Sequence, residues 1–306
     1  MPALVASASG DVQTLLDAVA LGSVYALIAV GIGLVFGVLR LVNFAYGQLI
    51  MAGAYALQLT SDQHPAVSIL ICFGVVLGLT LTLELAAFRP LRNASPATML
   101  VATFAISFLL QAIATVKFGA IQRFVTTVPE LNDPVAIGQV HVRWITIVAV
   151  AVGGVALGGL ALLFNCTGIG LQMRAAAADF RTARLLGVRA NAVIASAVLI
   201  SGVLAATVSV ILTVQTPVVT PDYGLRETII VLVGVVVGGI DRLWSATLGG
   251  FAIGFATGFL GAKLPIFGLV DRVYLDSFVY VLVILVLLLR PSGLFAPVSR
   301  SAVERV

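Results

Sequence analysis

Long apolar runs separated by short polar breaks dominate the chain. Five of them, Leu15–Val38, Val67–Phe88, Thr98–Val116, Trp144–Phe164 and Ala192–Val214, are continuous and uncharged or nearly so. About 20 helical residues cross a hydrocarbon core of about 30 Å, so each is long enough to span a bilayer. Four shorter or glycine-interrupted runs, Phe44–Leu59, Thr228–Ile240, Trp244–Leu260 and Leu275–Leu289, read as further spans, half-helices or re-entrant elements. Backbone N–H and C=O groups find no water in lipid, so every such segment must be helical or shielded by its neighbours. The pattern predicts an all-α polytopic membrane protein with about eight or nine transmembrane or partly re-entrant helices. Residues 1–306 read as a single transmembrane domain.

The breaks look like helix boundaries. Ser95-Pro96 reads as an N-cap with proline at the first helical position, where a missing N–H costs nothing. Asp62, His64 and Pro65 mark a turn, and residues 117–143 form a long polar excursion containing Leu131-Asn132-Asp133-Pro134. The insertion from Asn165 to Asn191 is different in kind. Leu171, Ala175, Ala178, Thr182 and Leu185 recur at helical spacing and make one small, weakly apolar face. On a continuous helix Arg174, Arg181 and Arg184 lie within about 80° of one another. Gly187 follows Leu186 where a C-terminal cap belongs. The spacing predicts one short amphipathic helix over Gly170–Val188, then re-entry into the membrane. Such a helix either lies on anionic lipid headgroups or docks a cytosolic protein, whose groove the alanine run would let close around the backbone.

Composition removes the soluble alternatives. Hydrophobic residues make up 60% of the chain, charged residues 10%, and mean hydropathy is +1.15. So few charges cannot cover a water-facing surface. The net charge of +4 does not imply a nucleic-acid partner, because the basic residues cluster between apolar spans, where membrane orientation explains them. If the nine segments all cross and the C-terminus is cytoplasmic, the inner set is Arg40, Arg89, Arg92, Arg174, Arg181, Arg184, Arg189, Arg242, Arg290, Arg300 and Arg305, leaving six basic residues outside. That asymmetry predicts an N-out, C-in chain. Residues 1–10 lack a basic leader region, so no cleaved signal peptide is expected. Cys72 and Cys166 show no metal-ligand spacing and are not expected to pair.

A few residues stand out against the apolar background. Asn43, Tyr46 and Gln48 open an otherwise apolar segment, with Gly47 and Gly53 loosening it. Polar side chains at membrane depth either line a path or bond helices together, each such bond contributing about 0.6 kcal/mol. Gly33-x3-Gly37, Gly154-x3-Gly158 and Gly250-x3-Gly254-x3-Gly258 put small residues on one helical face, which suits close helix packing. Glu84, inside a span but near Arg89 and Arg92, is expected to snorkel towards them. His64 and His141 are far apart and give no catalytic pair.

Taken together, several stretches resemble the LivH-type permeases of branched-chain amino acid ABC importers and their urea and amide relatives. They are Leu21-Gly-Ser-Val-Tyr-Ala-Leu-Ile-Ala-Val-Gly31, Val35-Phe-Gly-Val-Leu-Arg-Leu-Val-Asn-Phe-Ala-Tyr-Gly-Gln48, Ala183-Arg-Leu-Leu-Gly-Val188 after an alanine-rich helix, and Gly238-Gly-Ile-Asp-Arg-Leu-Trp-Ser-Ala-Thr-Leu-Gly-Gly250. The family usually has histidine and an acidic residue where this chain has Tyr46 and Gln48. Its late element commonly reads Gly-Gly-Leu-Gly, where this chain has Gly-Gly-Ile-Asp.

The resemblance implies a permease subunit in the bacterial inner membrane that pairs with a second homologous permease. It also implies two cytosolic ATPases, which hold ATP and Mg, and an extracytoplasmic solute-binding protein. Arg174, Asp179, Arg181, Arg184 and Gly187 become the candidates for docking the ATPases, and Asn43, Tyr46 and Gln48 those for the solute path. The chain itself has no Gly-x4-Gly-Lys-Ser/Thr phosphate loop and no membrane-embedded cluster of acids and histidines. Its energy would therefore come from elsewhere, with no cofactor of its own. Branched-chain amino acids are the expected cargo, with urea, amides or small aromatic acids as the nearest alternatives. A self-sufficient channel for a small neutral solute is the rival from another class. A membrane enzyme is disfavoured for want of an acid–base constellation.

Overall fold

The computed structural model describes residues 2–39, 43–91, 94–137, 140–239, 242–263 and 275–289. Arg40, Arg92, Arg272, Arg290, Arg300 and Arg305, Ile240-Asp241 of the late glycine element, and the side chain of Arg181 lie outside this description. Each apolar run becomes a helix. These are α1 (Pro2–Leu39), α2 (Tyr46–Leu59), α3 (Pro65–Leu83), α4 (Arg89–Leu91), α5 (Pro96–Phe118), α6 (Trp144–Cys166), α7 (Gly168–Ala178), α8 (Phe180–Leu185), α9 (Ala190–Gln215), α10 (Leu225–Gly238), α11 (Leu243–Lys263) and α12 (Leu275–Leu289). Among the described residues six helices are long and apolar enough to cross a membrane, lying within Asp11–Val38, Pro65–Leu91, Ala97–Phe118, Trp144–Cys166, Asn191–Gln215 and Leu243–Lys263. Helix α11, which its glycines make look interrupted in the sequence, is one of these full-length spans.

The caps follow local chemistry. Ser95 Oγ accepts the Thr98 N–H at 3.1 Å ahead of Pro96, and His64 Nδ1 accepts the Ala66 N–H at 3.3 Å ahead of Pro65. The polar excursion is not wholly irregular. It carries β1 (Arg123–Phe124), a 3-10 turn at Pro129–Asn132, β2 (Pro134–Ile137) and β3 (Val140–Arg143). β2 and β3 pair antiparallel with Val135 opposite Val142, and β1 pairs antiparallel with β4 (Val218–Val219). Asn132 Nδ2 donates to the Val214 carbonyl at 3.0 Å, tying the excursion to the end of α9.

Helix α1 is the axis of the bundle. It packs chiefly on α11, α9 and α6, and Val24–Val30 is buried throughout. Small residues explain the α1–α11 contact. A Cβ at Gly254 would sit 2.8 Å from Gly22 Cα, and one at Gly258 would sit 2.9 Å from Ala18 Cα. Gly250 lies against Ala29 and the Tyr25 carbonyl. Backbones brought this close gain dispersion contacts that lipid cannot match. Gly33 also faces α11, at Leu243 and Ala246, whereas Gly37, Gly154 and Gly158 face open space. Buried hydroxyls bind α9 to its neighbours, with Ser201 Oγ donating to the Gly31 carbonyl and Ser209 Oγ to the Ile50 carbonyl, both at 2.9 Å. Thr146 donates to Asp17 at 2.9 Å between α6 and α1, and Lys263 pairs with Asp11 between α11 and α1.

Glu84 is 3% exposed and stands where α3 passes into a π-helical turn, Glu84–Phe88; Arg92, one of the two arginines it was expected to reach, lies outside the described residues. A π-turn inserts an extra residue per turn and so rotates the following side chains away from the positions an α-helix predicts.

Candidate functional site

Two features of the sequence were singled out as functional, and the structure sets them apart from one another. The first is the connection between α6 and α9. Thr167 caps α7, its Oγ1 accepting the Gly170 N–H at 3.1 Å. Gly170, Met173 and Ala176 are buried on the bundle side of α7. A Cβ at Gly170 would lie 2.5 Å from Phe164 Cα, so glycine is what lets α7 fold back tightly against the end of α6.

The single amphipathic helix expected over Gly170–Val188 is instead two helices. The break is Asp179, whose backbone is extended at φ −150°, ψ 105°. Its Oδ1 accepts the Thr182 N–H at 3.1 Å, and the Thr182 hydroxyl donates to Oδ2. An aspartate that satisfies the first N–H groups of a new helix competes with continuing the old one. Here the cap prevails. Arg174 therefore belongs to α7 and Arg184 to α8, and the shared arginine face that a continuous helix would make is lost. Arg181 is on α8 by its backbone.

Gly187 ends α8 as the sequence suggests. Its φ is +88°, its N–H donates to the Arg184 carbonyl at 3.2 Å, and the Val188 N–H donates to the Ala183 carbonyl at 3.1 Å. This pair of bonds is the Schellman arrangement, which needs a residue comfortable at positive φ. Beside it Leu185 and Leu186 are 83% and 80% exposed. Two adjacent exposed leucines next to Arg184 form an apolar pair in a basic setting. Helical periodicity hid this feature, because it assigned Leu185 to a face shared with α7.

The second feature is the start of α2. Asn43 is buried and its Oδ1 accepts the Ala45 N–H at 3.0 Å, forming the turn that launches the helix. Tyr46 is fully buried, its phenol pressed against Gly31 of α1, where any side chain would collide with it. Gln48 points elsewhere, its Nε2 donating to Ser107 Oγ of α5 at 3.3 Å. Among the described residues Tyr46 Oη and Gln48 Oε1 have no hydrogen-bond partner. Leaving a buried polar atom unsatisfied costs about 1–3 kcal/mol. Helix gluing accounts for one of the three side-chain polar atoms of Tyr46 and Gln48 and for the Asn43 turn, and leaves two buried oxygens unexplained.

At the end of the bundle away from α7 a cavity of about 160 Å³ lies between α2, α3, α9 and the loop at 125–132, lined by Leu57, Ile69, Val210 and Thr213 among others. Nearby, Tyr223 lies within 3.3 Å of Thr216 Oγ1, and burial raises its phenol above the usual range, so it stays neutral. Among the described residues no cluster of His, Cys, Asp or Glu is able to hold a metal ion, and Cys72 and Cys166 are free thiols.

Residues 14–288 match the family model described as branched-chain amino acid transport system / permease component. The chain is 31% identical to the high-affinity branched-chain amino acid transport system permease protein BraD of Pseudomonas aeruginosa, across 96% of this chain and 97% of that one. It is 28% identical to the corresponding LivH protein of Escherichia coli, with the same coverage. It is 26% identical to a probable branched-chain amino acid transport permease protein LivH of Methanocaldococcus jannaschii, across 93% of this chain and 92% of that one. No solved structure matches the chain.

Proposed function

Because the chain belongs to the family of permease components of branched-chain amino acid transport systems, we propose that it is the transmembrane permease subunit of an ABC importer for leucine, isoleucine and valine. Residues 1–306 act as one permease domain, multi-pass in the bacterial inner membrane, with the N-terminus outside and the C-terminus in the cytoplasm. The match over nearly the whole length of curated permeases is the observation that carries this reading.

The energy source is external. Two cytosolic ATPases hold ATP and Mg and hydrolyse it, while a second, homologous permease completes the membrane part and an extracytoplasmic binding protein delivers solute. The α7–α8 segment is the grip on the ATPases. Leu185 and Leu186 enter an apolar groove on the ATPase, and Arg181 and Arg184 meet acidic groups around it, whereas Arg174, on α7, lines a cavity on the bundle side. Asp179 and Gly187 act indirectly, by fixing where α8 begins and ends. Because α7 buries Gly170, Met173 and Ala176 and packs on α6, α9 and α1, while Thr182, Arg184 and Leu185 of α8 are exposed, a push on α8 passes through α7 to the central helix of the bundle. Alternating access then follows as rigid-body motion of packed halves.

Asn43, Tyr46 and Gln48 are enclosed by the chain's own helices in this state. We assign Tyr46 Oη and Gln48 Oε1 to the solute path in a second state, where α2 turns them towards the partner permease and their missing hydrogen bonds are made to solute or water. Disrupting the gene and measuring uptake of labelled leucine, isoleucine, valine and urea tests the cargo. Loss of uptake of the three amino acids with urea unaffected is the expected result; loss of urea uptake alone overturns the assignment.

A further inference from the structure

At the end of the bundle where α7 lies, helices α1, α6, α7 and α11 surround a cavity of about 260 Å³ that is separate from the α2 polar element. Its walls are polarised along their length. Val30, Gly33 and Leu34 of α1 and Leu157 of α6 form an apolar inner part, whereas Asn165, Arg174 and Trp244 stand at the end that α7 closes. Among the described residues no Asp or Glu lines it. From Val30 to Val38 the α1 wall runs eight residues, or about 12 Å at 1.5 Å per residue, the length of a good part of an acyl chain.

The glycines make the space. A Cβ at Gly37 would meet nothing within 4 Å, and one at Gly33 would meet the flexible end of Leu243 at 3.1 Å and Ala246 Cβ at 3.8 Å. Trp244 is 65% exposed at the first turn of α11, the position of an interfacial indole. Arg174 is exposed on α7 beside it. An apolar slot with Arg174 and a tryptophan at one pole is complementary to an amphiphile with a negative head.

We propose that this groove is a binding site for one anionic phospholipid of the leaflet on the α7 side, its acyl chain lying along Gly33 and Gly37 and its phosphate on Arg174. The lipid fills the space between the exposed coupling segment and the central helix, and so forms part of the packing through which α7 moves α1. The site does not depend on which solute is carried.

Native mass spectrometry of the full chain, purified and delipidated in detergent, tests it with phosphatidylglycerol and phosphatidylcholine of identical chains. One phosphatidylglycerol should bind about fivefold more tightly than phosphatidylcholine, the effect of a single arginine at an anionic surface. Arg174→Gln should abolish that preference while leaving the acyl contribution. Gly37→Leu, whose Cβ meets no neighbour, projects into the slot and should lower occupancy by both lipids while the protein stays monodisperse and equally heat-stable. Equal affinity for the two lipids in the wild type, or unchanged binding by Gly37→Leu, overturns the site. So does displacement of the lipid by inorganic phosphate alone, or a cysteine at Trp244 that cross-links efficiently to the partner permease in the assembled transporter, since a protein helix would then occupy the groove.

Discussion

Replacing Asp179 with alanine removes the two side-chain bonds to Thr182 that start α8. Loss of an N-cap costs about 1 kcal/mol, and 1 kcal/mol corresponds to about a fivefold change in an equilibrium constant at room temperature. In a long buried helix that change would disappear into global stability. Helix α8 has six residues and is largely exposed, so its opening lies near the low end of local free energies and the whole change is expressed there. The N–H groups of Leu186, Gly187 and Val188 bond back to Thr182, Arg184 and Ala183, so they report the opening of α8 directly. Hydrogen exchange on the intact protein should show these amides about fivefold faster in Asp179→Ala, with α9 amides unchanged. Asp179→Asn should exchange like the wild type, because asparagine caps as well as aspartate. Unaltered exchange in the alanine variant, or equal acceleration in the asparagine variant, refutes the capping argument; the second result would assign the effect to charge.

The remaining predictions follow from the same geometry. Gly187→Ala forces a Cβ into a backbone at φ +88°, costing about 1–2 kcal/mol, and should release the ATPase subunits on co-purification while the thermal midpoint of the bundle holds. Gly254→Leu drives a side chain into Gly22 and Tyr25, and overpacking of this kind costs about 1–3 kcal/mol or more, read as a fall in thermal stability. Gly154→Leu, facing open space, is the matched control and should leave stability unchanged. Gln48→Leu removes the bond to Ser107 but also the unpartnered Oε1, so stability should barely move while uptake kinetics change; unchanged kinetics would return Gln48 to a purely structural role.

The helices were legible because in lipid the apolar runs and the helices are nearly the same thing. Ser95-Pro96, His64-Pro65 and Gly187 were readable for a different reason, since each carries its cap chemistry in one or two side chains. The division of the coupling segment at Asp179 was not readable from periodicity, which scores faces and ignores the local competition between a capping carboxylate and the helix it interrupts. Likewise, Gly250, Gly254 and Gly258 signalled close packing, but only the fold shows that α1 is their partner. Tyr46 and Gln48 are neighbours in sequence and look like one polar patch. On a helix they lie nearly opposite one another, and they meet α1 and α5 separately. The hairpin of β2 and β3 went unseen in a stretch read only for its polarity.

The account rests on a bundle that does no work by itself and is driven through α7 and α8. Leucine uptake into proteoliposomes tests this most directly, comparing the purified chain alone with the chain assembled with its second permease, ATPases and binding protein. Uptake that appears only in the assembled system, and only with ATP, is the predicted result. Leucine flux through the chain alone, undiminished without ATP or partners, would contradict it.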